Sequence, residues 1–177
     1  MLKRYLRFFA FAILAIFSLV FVSCGDDDDN SDATQNGTQF EIDGKSYKLS
    51  SNQVGVIWIE PPFGSTIQFS TGKHDMFDSG EIYTFGFPAW DGKDYCEPKV
   101  GMDLTKLEMK LNGEVINSFT LTDDDDIECD YVSGSLVITA VDKSKETMTL
   151  KFTKLKMSNG HISHTFNGTI KLPFSIL

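Results

Sequence analysis

From Gln39 to Leu177 the apolar residues come in short runs, many of them alternating with polar ones, and Gly, Asn or Asp stops each run. No stretch of this region sustains an apolar stripe at the 3.6-residue period of a helix. Alternation at period two marks a strand with one buried face, so the pattern predicts strands at 54–59, 66–70, 81–87, 106–111, 115–121, 134–141, 148–157 and 161–174. A short hairpin precedes them. Phe40-Glu41-Ile42 and Lys45-Ser46-Tyr47 flank Asp43-Gly44, a pair suited to a type I′ turn, and a two-residue loop there sets Phe40 opposite Tyr47. Asn112-Gly113 and Asn159-Gly160 carry the same turn signal. The fold class that follows is all-β, an antiparallel β-sandwich or partly closed barrel of about eight to ten strands.

Parity within the last hairpin refines this. Met148, Leu150 and Phe152 share one face of their strand, whereas Leu155 and Met157 have the opposite parity, so one extra residue must be inserted near Thr153 or Lys154 as a β-bulge. With a two-residue turn at Asn159-Gly160, Met157 would face Ile162 and Leu155 would face His164. Phe152 would face Phe166, Leu150 Gly168 and Met148 Ile170. Residues 134–141 alternate Leu136, Ile138 and Ala140 with Val137, Thr139 and Val141, which predicts a central strand covered on both faces.

Upstream of the domain the pattern changes. Lys3, Arg4 and Arg7 precede an apolar run, Phe8 to Val22, that only Ser18 interrupts. At about 15 residues the run is shorter than the ~20 of a spanning helix, and it ends at Ser23-Cys24 without a basic cluster, so it reads as a removable signal, residues 1–23. Gly25, then Asp26, Asp27, Asp28 and Asp29, and a polar run to Thr38 follow. A like-charged block with nothing to bury stays extended and solvated, which makes 24–38 a tether and 39–177 a single domain.

Phe21-Val22-Ser23-Cys24 resembles a bacterial lipobox, and a cysteine followed at once by a small residue and an acidic cluster resembles the export signal of surface-exposed lipoproteins in Bacteroidetes. The resemblance covers residues 1 to about 32. It implies lipidation at Cys24, attachment to the outer membrane, exposure at the cell surface directed by Asp26–Asp29, and a group of proteins that often serve glycan capture. The alternative location is the periplasmic face of the membrane.

Charge narrows the partners. The chain has 16 Lys and Arg against 25 Asp and Glu; loss of the signal removes Lys3, Arg4 and Arg7, leaving 13 against 25, a net of −12. An acidic surface repels phosphate backbones and anionic headgroups, so nucleic acid is not an expected partner, and the membrane is held through the lipid alone.

Candidate chemistry is sparse. There is no Gly-x-Ser-x-Gly elbow, phosphate-cradling glycine loop or His-Glu-x-x-His pair, so neither an enzyme nor a cofactor is expected. Cys96 and Cys129 are candidates for one disulfide, the alternative being two unpaired thiols. His161 and His164 lie three apart, on opposite faces of a strand, and so make poor joint metal ligands; His164 is expected to hydrogen-bond near Leu155. Within the acidic run, Asp123, Asp125 and Glu128 are weak calcium candidates, since the run lacks the glycine and alternating spacing of an EF-hand loop. Tyr83, Phe85 and Phe87 alternate as core residues do. Trp90 and Tyr95 sit instead among Pro88, Asp91, Gly92, Asp94 and Pro98, a loop composition. Trp90 and Tyr95, flanked by Asp91 and Asp94, are the candidate ligand-binding residues, either as a platform for sugar faces or as a lid folded over the end of the core. Two functions remain open: a binding module for a glycan or other nutrient, and a structural or protein-interaction component of the envelope.

Overall fold

The computed structural model describes residues 40–59, 64–72, 80–90 and 94–176. Among these residues eleven strands are formed: β1 (Phe40–Ile42), β2 (Lys45–Tyr47), β3 (Val54–Trp58), β4 (Ser65–Ser70), β5 (Ile82–Phe87), β6 (Met109–Leu111), β7 (Glu114–Asn117), β8 (Thr120–Thr122), β9 (Glu128–Asp142), β10 (Thr147–Ser158) and β11 (Ser163–Ile176). Nine of them make one sheet in the order β10-β9-β8-β5-β4-β3-β11-β1-β2, and β10 also pairs with β11. That pairing closes seven strands into a barrel, from which β1 and β2 extend. The remaining two, β6 and β7, form a separate ribbon.

Closure depends on one long strand with a divided edge. Along one side β11 pairs with β10 from Ser163 to Pro173. On the other side Phe166 and Asn167 pair with β1, while Phe174, Ser175 and Ile176 pair with Val56, Ile57 and Trp58 of β3. The β3–β11 contact is parallel, so the barrel is closed by the one kind of pairing that alternation in the sequence does not announce, and the sheet is not wholly antiparallel.

The expected hairpins form because their turn residues tolerate left-handed backbone. Asp43 and Gly44 lie at φ 52° and 77°, and Asn112 and Gly113 at 53° and 87°; Phe40 is paired with Tyr47. The turn at Asn159-Gly160 differs. The last pair before it is Ser158↔Ser163, leaving a four-residue loop in which the Asn159 side-chain oxygen accepts from the amides of His161 and Ile162, each at 2.9 Å. The register therefore moves by two from the expected one: Leu155 faces Phe166, Phe152 faces Gly168, Leu150 faces Ile170, and Met157 faces His164. A shift of two keeps every side chain on its face, so the apolar set still points inward.

The bulge near Lys154 is present, between Phe152 and Leu155. Lys154 adopts φ 45°, and its amide donates to the Asn167 side chain at 3.2 Å. A second phase change lies in β9. Leu150 pairs with Ile138 but Thr149 pairs with Ala140, so Thr139 is the inserted residue. Leu136 and Ile138 are buried, Ala140 is exposed, and Val141 packs back on the core. The strand that reads as apolar on both faces is thus a wall strand with one inner face that changes phase. Its free edge is filled by the segment after β5, where Gly101 donates to the Ile138 carbonyl and the Ile138 amide donates to Met102.

Phenyl rings fill the interior. Phe40, Phe69, Phe85, Phe152 and Phe166 are essentially inaccessible, with centroids 5.3 Å apart for Phe40 and Phe69, 5.1 Å for Phe40 and Phe152, and 5.0 Å for Phe85 and Phe166. Each such side chain contributes about 3 kcal/mol by leaving water, and each edge-on pair about 1 kcal/mol more.

Gly134 stands opposite the Lys154 bulge at φ 90°, and a Cβ there would overlap the Lys154 carbonyl oxygen and Leu155 Cα. Gly134→Ala is expected to cost at least about 1–3 kcal/mol, read as a lower urea midpoint with an unchanged slope. Asp142 closes the β9–β10 turn. Its carboxylate accepts from the Ser144 hydroxyl and from the Ser144 and Lys145 amides, and the Ser144 bond leads in holding its pKa below the usual carboxylate value. A lowered folded pKa gives stability that is present above the unfolded value of about 4 and is lost as pH falls through the folded one. Melting curves of Asp142→Ala should therefore lie below wild type at neutral pH and converge with it in strong acid.

Candidate functional site

Cys24, Asp26, Asp27, Asp28, Asp29 and Asp91 lie outside the described residues. The aromatic loop after β5 is anchored from beneath. The fully buried Trp58 indole donates to the Cys96 carbonyl at 2.8 Å, and the Cys96 amide donates to Ala89 at 3.0 Å. Between these anchors Trp90 and Tyr95 face each other in an antiparallel bridge. Both are half-buried, Tyr95 packs against the core, Pro88 and Pro98 are buried, and Asp94 is exposed. Of the described residues of this segment, Tyr95 thus lies toward the core and Asp94 toward solvent.

Cys96 and Cys129 are both buried, and no disulfide joins them. The reason is topological. Cys96 hangs on Ala89 beyond the end of β5, whereas Cys129 pairs with Leu121, itself opposite Phe85 in the middle of that strand. Burial, together with the nearby Asp123 charge, raises the Cys129 pKa and keeps the thiol protonated and unreactive.

The acidic run between β8 and β9 is a built turn. Asp123 Oδ1 accepts from the Asp125 amide at 3.1 Å and the Ile127 amide at 2.9 Å, and Asp124 Oδ1 accepts from Ile82 of β5 at 3.3 Å. The other Asp123 oxygen reaches His164 Nε2 at 3.4 Å. On its far side His164 Nδ1 meets Asp43 Oδ2 at 2.9 Å, and Asp43 Oδ1 accepts from the Thr165 amide at 2.6 Å. One imidazole thus ties the β1–β2 turn and the β8–β9 turn to β11. Tyr83 borders it edge-on at 5.3 Å and donates to Glu81 at 2.7 Å; burial, then that bond, raises the tyrosine pKa far above its ordinary value. Since both ring nitrogens face carboxylates, His164 serves as a bridge. Its expected partner near Leu155 is replaced by these two aspartates because the longer β10–β11 loop moves it opposite Met157.

Asp123 is committed to this turn, and Asp125 and Glu128 are exposed; among the described residues no three His, Cys, Asp or Glu side chains converge on a metal position. The calcium candidates are not brought together.

A surface that alternation alone does not reveal lies on the β6–β7 ribbon, where Leu111 is 60 % exposed, Val115 49 % and Ile116 44 %. The available signal is the consecutive pair Val115-Ile116 beside a two-residue turn, too short a strand to have an inner face. Comparison with family models, with curated proteins and with solved structures finds no match.

Asp123→Ala should lower stability by about 1–3 kcal/mol, because it strands two amides and the imidazole, whereas Asp125→Ala should change it by less than about 0.5 kcal/mol. Added calcium should leave the wild-type melting temperature unmoved, in thermal melts run side by side.

Proposed function

We propose that this chain is an envelope lipoprotein, attached through a lipid on Cys24 and presented outward by the Asp26–Asp29 run, whose filled barrel is a rigid support for protein contact through the β6–β7 ribbon. The exposed trio Leu111, Val115 and Ile116 carries this reading. Among the described residues the ribbon pairs with no other strand, a lone two-stranded ribbon is marginal in water, and exposed apolar side chains on both its faces favour a binding role over a decorative one. Among the described residues phenyl rings occupy the interior, which favours a contact on the outer surface. A glycan platform at Trp90, Tyr95, Asp91 and Asp94 has weaker support, because Tyr95 packs against the core where a sugar-stacking ring would stand clear. The acidic balance fits a protein partner and disfavours nucleic acid.

The test is a photo-reactive residue at Ile116 in the full chain, in intact producing cells, beside the same residue at the exposed Lys151 of β10. Ile116 should give discrete protein adducts and Lys151 none; in a Cys24→Ala background the chain should leave the membrane fraction and the adducts should fall away. Equal labelling at both positions, or none at Ile116, would overturn the ribbon as a contact surface.

A further inference from the structure

Asn36, Asn112, Asn159 and Asn167 are each followed by glycine. With no side chain, glycine shields its own amide nitrogen least, so by sequence all four are alike in their openness to loss of the side-chain amide, a lability of asparagine. Asn36 lies outside the described residues. The other three are exposed, so exposure does not separate them; their hydrogen bonds do.

Asn159 is held at both groups that would have to react. Its side-chain oxygen accepts from the His161 and Ile162 amides, each at 2.9 Å, and the Gly160 amide, whose nitrogen would attack, donates to the Ser158 hydroxyl at 3.1 Å. Asn167 stands inside β11. Its side-chain oxygen accepts from the Lys154 amide at 3.2 Å, and its backbone is fixed by the pairing with Glu41 and by Gly168 opposite Phe152. Asn112 has neither constraint. Among the described residues no hydrogen bond reaches its side chain or the Gly113 amide, a Cβ on Gly113 would meet nothing within 4 Å, and the ribbon that carries both has three residue pairs, a bulge and no third strand.

We propose that Asn112 is a self-modifying site, losing its amide nitrogen in water at a rate set by opening of the β6–β7 turn. In the closed turn Asn112 and Gly113 lie at φ 53° and 87°. Attack needs the Gly113 nitrogen brought onto Asn112 Cγ, which the loop permits once the ribbon opens, and a lone two-stranded ribbon opens at little cost. The Gly113 nitrogen bonds to Cγ and gives up its proton, the Cγ–Nδ2 bond breaks, and Nδ2 leaves with that proton as ammonia. Water then opens the cyclic imide. Cleavage of the new N–Cγ bond leaves an aspartyl residue, whereas cleavage of the bond between the Asn112 carbonyl carbon and the Gly113 nitrogen routes the backbone through Cγ and lengthens it by a methylene. Either product adds a carboxylate beside Glu114, and the longer backbone no longer fits a two-residue loop. The ribbon therefore has a chemical lifetime that the barrel does not share. This chemistry needs no partner and holds whatever the ribbon contacts.

The full chain in detergent is held at mildly alkaline pH in heavy-oxygen water, native and in guanidinium, and each Asn-Gly peptide is followed by mass spectrometry for uptake of labelled oxygen. In the native protein Asn112 should convert about tenfold or more faster than Asn159 and Asn167, whose hydrogen bonds must open first. In guanidinium the three rates should draw together, with Asn159 and Asn167 rising more than Asn112. A native rate at Asn159 or Asn167 equal to that at Asn112 overturns the proposal, and so does the same spread of rates in guanidinium, which would assign the difference to flanking sequence and not to the turn.

Discussion

The structure depends on keeping one face of three very long strands in the core while the wall curves. In β9 and β10 twist and curvature would carry the inner side chains outward at fixed parity, whereas β11 holds one parity from Phe166 to Phe174. Inserted residues at Thr139 and near Lys154 reset the phase. Leu136 and Ile138 point inward before one bulge and Val141 after it; Phe152 precedes the other and Leu155 follows. The cost falls on the backbone, with Lys154 and Gly134 both at positive φ, and the Asn167 side chain satisfies the amide that the bulge removes from the ladder.

With the phase reset, β11 can serve two neighbours on one edge, and the parallel contact with β3 closes the ring. Closure removes the long edges that invite aggregation, and the phenyl cluster locks the lumen. The Trp58 indole holds the segment after β5 at the Cys96 carbonyl. Elsewhere the Asp43–His164–Asp123 bridge binds two turns distant in the chain to β11. The acidic run that looks like a solvated block is held at Asp123 and Asp124, and it is free to hydrate only at its tip.

Polar side chains among the described residues tie turns together, as with His164 between two carboxylates and Gln53, whose amide donates to the carbonyls of Ser70 and Gly72. The exposed apolar side chains of β7, like Val100 and Val132 elsewhere, are not explained by packing among the described residues.

Local rules in the sequence determined the all-β class, most strand positions, two of the three Asn-Gly or Asp-Gly turns, the Phe40–Tyr47 pairing and the bulge near Lys154, because each follows from parity or from a residue's tolerance of positive φ. The core alternation of Tyr83, Phe85 and Phe87 was legible for the same reason. The β10–β11 register was not, since a shift of two residues leaves parity unchanged and only the Asn159 side-chain bonds select the four-residue loop. Nor were the phase change at Thr139, which in one dimension looks like a strand apolar on both faces, and the His164 bridge, whose partners are 121 and 41 residues away. Strand order, parallel closure, the separation of Cys96 from Cys129 and the exposure of Val115 were decided by tertiary structure alone, because they depend on which distant segments share an edge, and period-two patterning describes a strand's faces without naming its neighbours.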